Sequence, residues 1–145
     1  MKKMMLVCLA LICGNVWGAN YYVDFSNGND TQAGTSTAAA WKHAPGDPNA
    51  TGLSTTAILA PGDTVIFKGG VQYSGTIYIT RSGSSGSVIT YNGNRSNTWG
   101  SGPAIIDGNG TINTLFNFSG AQSYIRITGF ELRNTQAKPN TGRPI

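Results

Sequence analysis

Charged side chains are scarce in this sequence of 145 residues, where they make up 11% of the chain. Asp and Glu together number six, and His43 is the single histidine. No dense cluster of Lys and Arg is present that could follow a phosphate backbone, so nucleic acid is not an expected partner. The acids are also spread along the chain, so the sequence shows no paired carboxylates of the kind that glycosidases need.

Cysteine is missing from everything after the first 18 residues, because Cys8 and Cys13 are the only two. Lys2 and Lys3 form a short basic start, and residues 4–13 form an apolar run that is too short to span a bilayer. Residues 1–18 are therefore predicted to be a signal peptide, with the mature chain starting at Ala19. We expect a secreted or periplasmic protein with no disulfide and no membrane attachment after cleavage.

The mature chain is less basic than the whole, since two lysines leave with the leader. Eight Lys and Arg then face six Asp and Glu, an excess of two. The 20 glycines, with many Ser, Thr and Asn, favour short strands and tight turns over helices. The composition therefore predicts an all-β protein.

Short apolar segments recur along the second half of the chain, each closed by Gly or Asn. Val88 lies 23 residues after Val65, and Ile127 lies 22 residues after Ile105. This spacing of about 22 residues predicts a β-solenoid, in which Val65, Val88, Ile105 and Ile127 line one interior. An antiparallel sandwich would also give short strands with polar turns, so it stays open as the alternative.

Apolar and polar residues alternate most clearly in residues 125–134. We expect one face of this strand pair to point inward and the other outward, with Gly129 as a corner between the two strands and Asn134 in a left-handed turn after them. The inward residues are Ile125, Ile127, Phe130 and Leu132, and the outward residues include Arg126, Glu131 and Arg133.

Several strings resemble the N-terminal region of secreted right-handed parallel β-helix proteins, the pectate-lyase-like polysaccharide lyases and their relatives. They are Tyr21-Tyr22-Val23-Asp24, Ala40-Trp41-Lys42, Pro61-Gly62-Asp63-Thr64-Val65, Ile105-Ile106-Asp107-Gly108 and residues 125–134. The resemblance implies a right-handed parallel β-helix, which is a single-stranded solenoid. Residues 19–60 would form the N-terminal strand, loop and cap, and residues 61–145 the first coils, which are incomplete.

The resemblance implies that the protein is carbohydrate-active, most directly a polysaccharide lyase acting on an acidic polysaccharide. A non-catalytic surface or adhesion protein and a β-helix glycoside hydrolase are the alternatives. The chain ends directly after a well-formed coil, so we expect a truncated protein whose catalytic residues lie on later coils. This chain alone is therefore predicted to be inactive, and its catalytic residues stay unknown.

Three outward side chains, Arg126, Glu131 and Arg133, are the candidate substrate-binding residues, since they could contact an acidic saccharide. No metal site is predicted within the chain, although Ca²⁺ could assist the full-length protein. The oxygens of Asp24, Asn27, Asn29 and Asp30 are interpreted as an Asx-rich turn. Asp63 and Asp107 are interpreted as turn residues, His43 as a surface or packing residue, and Trp99 as a packing residue or a sugar-stacking aromatic.

Overall fold

The structure is a computed structural model that describes residues 18–136. The predicted signal peptide, apart from Gly18, lies outside the described residues, as do residues 137–145. In the described part of the chain, no helix combines the length and the apolar character needed to span a bilayer.

Nine short strands make up most of the regular structure of residues 18–136, which confirms the all-β prediction. They are β1 (Asn20–Val23), β2 (Thr64–Phe67), β3 (Gln72–Ser74), β4 (Ile77–Ile79), β5 (Ile89–Asn92), β6 (Ala104–Asp107), β7 (Phe116–Phe118), β8 (Ile125–Thr128) and β9 (Phe130–Arg133). Helix is limited among the described residues to a 3-10 turn at Thr37–Ala39 and to α1 (Gly52–Thr56). The Ser36 hydroxyl accepts a hydrogen bond from the Ala39 N–H at 3.2 Å, as expected for a capping serine.

The strands form three sheets in which every paired strand runs parallel to its neighbour. The first sheet has the order β1-β2-β5-β8, the second β3-β6-β9, and the third β4-β7. Strands that follow one another in sequence thus lie mostly in different sheets. This parallel pairing excludes the antiparallel sandwich for the described residues, since a sandwich pairs neighbouring strands antiparallel.

The predicted repeat of about 22 residues is wrong. Val65 pairs with Tyr91, 26 positions later, and Tyr91 pairs with Ile127, 36 positions later. The 22-residue match between Ile105 and Ile127 compared strands of two different sheets, β6 and β8. Loops of unequal length separate successive strands of one sheet, so no single period holds.

The predicted interior residues are correct at Val65 and Ile127 but shifted by one position at the other two. Val88 lies just before β5, and the buried residue there is Ile89. Ile105 pairs with Gln72 on one side and with Glu131 on the other, and it is half-buried. Its neighbour Ile106 is the buried residue and is 1% exposed. A run of adjacent apolar residues does not reveal which one faces inward, because a shift by one residue moves a side chain to the opposite face.

One apolar core connects the three sheets. The first sheet contributes Val65 and Tyr91, the second contributes Ile106, and the third contributes Ile79. The Tyr73 hydroxyl donates to the Val23 carbonyl at 2.8 Å and so ties the second sheet to the first. Burial raises the pKa of Tyr91 to about 12, because the ionised phenol would lose its hydration inside this core.

Gly129 forms the predicted corner between β8 and β9. Its φ of 76° lies in the left-handed region, and a Cβ at this position would lie 2.7 Å from the Arg95 backbone nitrogen. Asn134 follows with a φ of 49°, as predicted, and its amide donates to the Asp107 carboxylate at 3.1 and 3.2 Å. A side chain at position 129 would therefore strain the corner and push the loop that carries Arg95.

The free edge of β1 is covered by the segment that follows it. The Trp41 N–H donates to the Tyr22 carbonyl at 2.9 Å, and the Tyr22 N–H donates to the Gly34 carbonyl at 2.7 Å. The Trp41 ring is 2% exposed and stacks on Tyr21. Both backbone groups of Tyr22 at this sheet edge therefore have partners within the chain.

Candidate functional site

A polar groove of about 560 Å³ lies on the outer face of the first sheet. Its floor follows the strand register: Thr64 pairs with Thr90, and Thr90 with Arg126. One step further along the strands, Asn92 pairs with Thr128. Alternation places these side chains opposite the core, so the groove floor consists of hydroxyls, one amide and one guanidinium.

The loop at residues 93–103 forms one wall of the groove and contributes Arg95 and Ser96. The loop is built around Asn94, which is 3% exposed and has a φ of 68°. Its side-chain oxygen accepts hydrogen bonds from the N–H groups of Thr98 at 3.1 Å and Trp99 at 3.0 Å. A buried side chain that holds backbone groups in this way gives the wall a fixed shape.

Arg95 is held over the sheet by two contacts. Its backbone N–H donates to the Asn92 side-chain oxygen at 2.9 Å, and its Nη1 donates to the Thr128 hydroxyl at 3.1 Å. The groove therefore has a guanidinium on its wall and a second one, that of Arg126, on its floor. Its seven described lining residues include no carboxylate, so the charge of this lining is positive.

The ion pairs found among the described residues lie elsewhere and involve neither groove arginine. They join Asp30 to His43, Asp24 to Lys68, and Glu131 to Arg133. Both groove arginines are exposed. Their donors are therefore free of carboxylate partners within the described part of the chain and can bind an external oxyanion.

The three predicted substrate-binding residues do not share one surface. Arg126 lies on β8 in the groove, whereas Glu131 and Arg133 lie on β9 in the second sheet, beyond the Gly129 corner. Glu131 and Arg133 pair with each other, and this contact raises the pKa of Arg133 and lowers that of Glu131. Arg133 is thus engaged with an acid of its own strand.

The sequence predicted only Arg126 among the groove residues, and Arg95 is the charged residue that it missed. It lies in a run of Asn and Gly between two strands, where no periodic pattern marks a side chain as important. The available signal was its place in a long loop directly after a strand, since loops on a rigid scaffold commonly carry binding residues.

Asp24, one of the expected turn residues, is occupied by internal partners. Its carboxylate accepts from the Ser26 N–H at 3.0 Å and from Lys68 Nζ at 2.7 Å. Burial raises the pKa of Asp24, but the Lys68 contact and the backbone donors outweigh it, so the pKa lies below its usual value. Lys68 also lies over the Trp99 ring, 5.9 Å from its centroid, so Trp99 packs against this corner of the sheet.

Asp30 and His43 form a second internal centre, with Asp30 Oδ2 and His43 Nδ1 2.7 Å apart. The same carboxylate accepts from the N–H groups of Lys42 at 2.9 Å, His43 at 2.8 Å and Thr51 at 3.1 Å. These donors occupy the oxygens that a cation would need. No cluster of three or more His, Cys, Asp or Glu suited to a metal ion is found in residues 18–136.

The two other predicted turn aspartates have local hydrogen bonds. Asp63 Oδ2 accepts from the Ala60 N–H at 2.8 Å, and Asp107 Oδ1 accepts from the Asn109 N–H at 2.8 Å. Both are buried. Their predicted turn roles agree with this geometry.

Comparison with known proteins assigns no family to the chain, because no family model matches it and no curated protein sequence does either. The resemblance to pectate-lyase-like proteins therefore stays a prediction.

Proposed function

We propose that this chain belongs to a secreted, carbohydrate-active protein that binds an acidic polysaccharide in the groove of the first sheet, and that it is of the polysaccharide lyase type. The observation that carries the proposal is the lining of the groove, where two guanidiniums stand among hydroxyl and amide groups. Guanidinium groups bind carboxylates and sulfates through paired hydrogen bonds, and hydroxyls and amides suit the polar groups of a sugar.

We also propose that the three sheets are the faces of a right-handed parallel β-helix, with residues 19–60 covering its first coil. The parallel pairing and the shared core support this finer fold. From β2 onward, each strand lies in a different sheet from the strand before it, and every third strand pairs with its predecessor in the same sheet. A chain that coils around one axis has this order. The predicted signal peptide supports secretion. Secretion in turn fits a polysaccharide ligand, because such polymers occur outside the cytoplasm.

A non-catalytic binding protein is the second candidate. The groove supplies cations and hydroxyls from the described residues but no carboxylate, and this set suits binding of an anion better than acid-base catalysis at a glycosidic bond. The lyase proposal therefore needs catalytic groups beyond those that line the groove.

Binding to immobilised polysaccharides tests the proposed site. We expect the purified chain to bind an acidic polysaccharide, such as polygalacturonate or heparin, but not neutral dextran. Arg126→Gln and Arg95→Gln should each weaken binding about tenfold, because each removes a charge-assisted contact. Arg81→Gln is the matched control, as it removes one positive charge from an exposed position outside the groove lining.

Equal losses in all three variants would show a general charge effect and contradict the groove site. Failure to bind any acidic polysaccharide would contradict the proposed function itself. The lyase assignment has its own readout, the ultraviolet absorbance of unsaturated uronate released by the full-length protein. If binding occurs but no such product forms from any acidic polysaccharide in the panel, the non-catalytic alternative is favoured.

A further inference from the structure

The predicted first residue of the mature protein lies beside a buried carboxylate. The Ala19 nitrogen donates to Asp63 Oδ1 at 2.7 Å, while Asp63 Oδ2 accepts from the Ala60 N–H at 2.8 Å. Asp63 itself is 4% exposed. One oxygen of this carboxylate is thus directed at the position where cleavage after Gly18 would create a free amino group.

We propose that removal of the leader creates an ion pair between the new α-ammonium group of Ala19 and Asp63, and that this pair locks the first strand onto the sheet. The inference rests on the export part of the proposed function, and it is independent of what the groove binds. Hydrolysis of the peptide bond after Gly18 turns a neutral amide N–H into an ammonium group with three donors. The existing hydrogen bond then becomes a charge-assisted one.

The position of this contact links it to the assembly of the first sheet. The Ala19 carbonyl accepts from the Thr64 N–H at 2.8 Å, so the residue is held to the start of β2 on both sides of its backbone. Asp63 immediately precedes β2, and β1 begins one residue after Ala19. A pair at this point fixes the register in which β1 joins β2.

Gly18 occupies a crowded place before cleavage. A Cβ built on Gly18 would lie 1.8 Å from the Gly62 carbonyl oxygen, so the backbone at position 18 passes directly against the Pro61-Gly62 turn. Only glycine fits this approach. Cleavage after Gly18 removes this close contact and leaves the amino group of Ala19 beside Asp63.

Among the described residues, Asp63 is the titratable group that accepts a hydrogen bond from the Ala19 nitrogen. Tyr21 lies near Asp63, since burial and then the Asp63 charge raise the pKa of its hydroxyl. An α-ammonium group with a carboxylate partner holds its proton more tightly than in the unfolded chain, where its pKa is about 8. The pair therefore stabilises the fold fully below about pH 8, and its contribution is lost as the pH rises through the higher folded-state pKa.

The experiment has two readouts on the processed protein recovered after export. N-terminal sequencing should give Ala19 as the first residue. Urea unfolding is then measured at pH 7 and at pH 9.5. Between these two pH values, we expect the unfolding equilibrium constant to rise about three- to fivefold more in the wild type than in Asp63→Asn, because the variant lacks the carboxylate charge. Asp47→Asn is the matched control and should behave like the wild type, because the Asp47 carboxylate binds only the neighbouring Asn49 among the hydrogen bonds of residues 18–136.

A mature protein that starts at another residue would overturn both the predicted cleavage and the pair. If the protein starts at Ala19 but the wild type and Asp63→Asn lose stability equally between the two pH values, the cleavage stands and the pair is refuted. Should Asp63→Asn fail to fold, wild-type protein acetylated at its α-amine replaces it in the comparison. We expect the acetylated protein to lose less stability than the wild type over the same pH interval, and an equal loss would refute the pair.

Discussion

Buried carboxylates that bind backbone N–H groups organise the region before the second strand. Asp30 is the clearest case, since its two oxygens receive the N–H groups of Lys42, His43 and Thr51, the His43 ring and the Thr51 hydroxyl. The Asp30 carbonyl also accepts from the Leu53 N–H at the start of α1. A single acidic side chain thereby connects three separate stretches of an otherwise irregular segment.

Replacing Asp30 by Asn should destabilise the protein by about 3 kcal/mol at pH 7, because the amide –NH₂ would face donors and leave buried groups without acceptors. Urea unfolding measures this difference. Asp47→Asn is the control, since Asp47 is only half-buried, and we expect a change below about 1 kcal/mol.

The stability that Asp30 contributes should also depend on pH, and comparison of Asp30→Asn with the wild type tests this. Burial alone raises the pKa of Asp30, but the hydrogen bonds from His43 and Thr51 outweigh it, so its folded-state pKa lies below the ordinary value of 3.8. Its contribution is therefore present above about pH 4 and is lost as the pH falls through the folded-state pKa. Stability that falls as steeply in Asp30→Asn as in the wild type below pH 4 would contradict this role.

At the scale of the secondary-structure element, strand β6 shows how alternation divides neighbouring isoleucines. Ile106 belongs to the core shared by the three sheets, whereas Ile105 lies on the opposite face and is only half-buried. The two residues have the same side chain and adjacent positions. They therefore form a matched pair for testing the strand register.

Ile106→Ala should lower the free energy of unfolding by about 2–5 kcal/mol, since it removes buried methyl and methylene groups and leaves a cavity. Ile105→Ala should cost about 1 kcal/mol or less. Chemical denaturation of both variants measures the difference. If the larger loss occurred at Ile105, the register of β6 described above would be wrong by one residue.

At the scale of the whole molecule, the first sheet presents one face to the core, and its other face carries the groove. The groove lies where the first sheet meets the loop at residues 93–103, so its two arginines come from sequence positions 31 residues apart. Without the predicted signal peptide, the chain would carry only two more positive than negative side chains. With so small a net charge, the two arginines of the groove would dominate the electric field there.

Binding of an acidic polysaccharide should therefore weaken strongly with salt. Exposed charges are screened over about 10 Å at 0.1 M salt and about 3 Å at 1 M. We expect the affinity of the wild type to fall between about 0.05 and 0.5 M NaCl, and that of Arg126→Gln to fall less, in titrations followed by calorimetry. Identical salt dependence in the two proteins would place the binding site elsewhere.

The sequence by itself determined the β class, the glycine corner at position 129 and the left-handed Asn134, because these depend on local backbone preferences and on alternation within one strand. It also determined the turn roles of Asp63 and Asp107, because each accepts a hydrogen bond from an N–H group within three residues. Their second partners, Ala19 and Asn134, lie far along the chain and depend on the tertiary structure. Only the tertiary structure decided which strands share a sheet, because that depends on loop lengths that periodicity does not report. The same holds for the groove, since Arg95 meets Arg126 only when a loop folds over a strand that lies far along the chain.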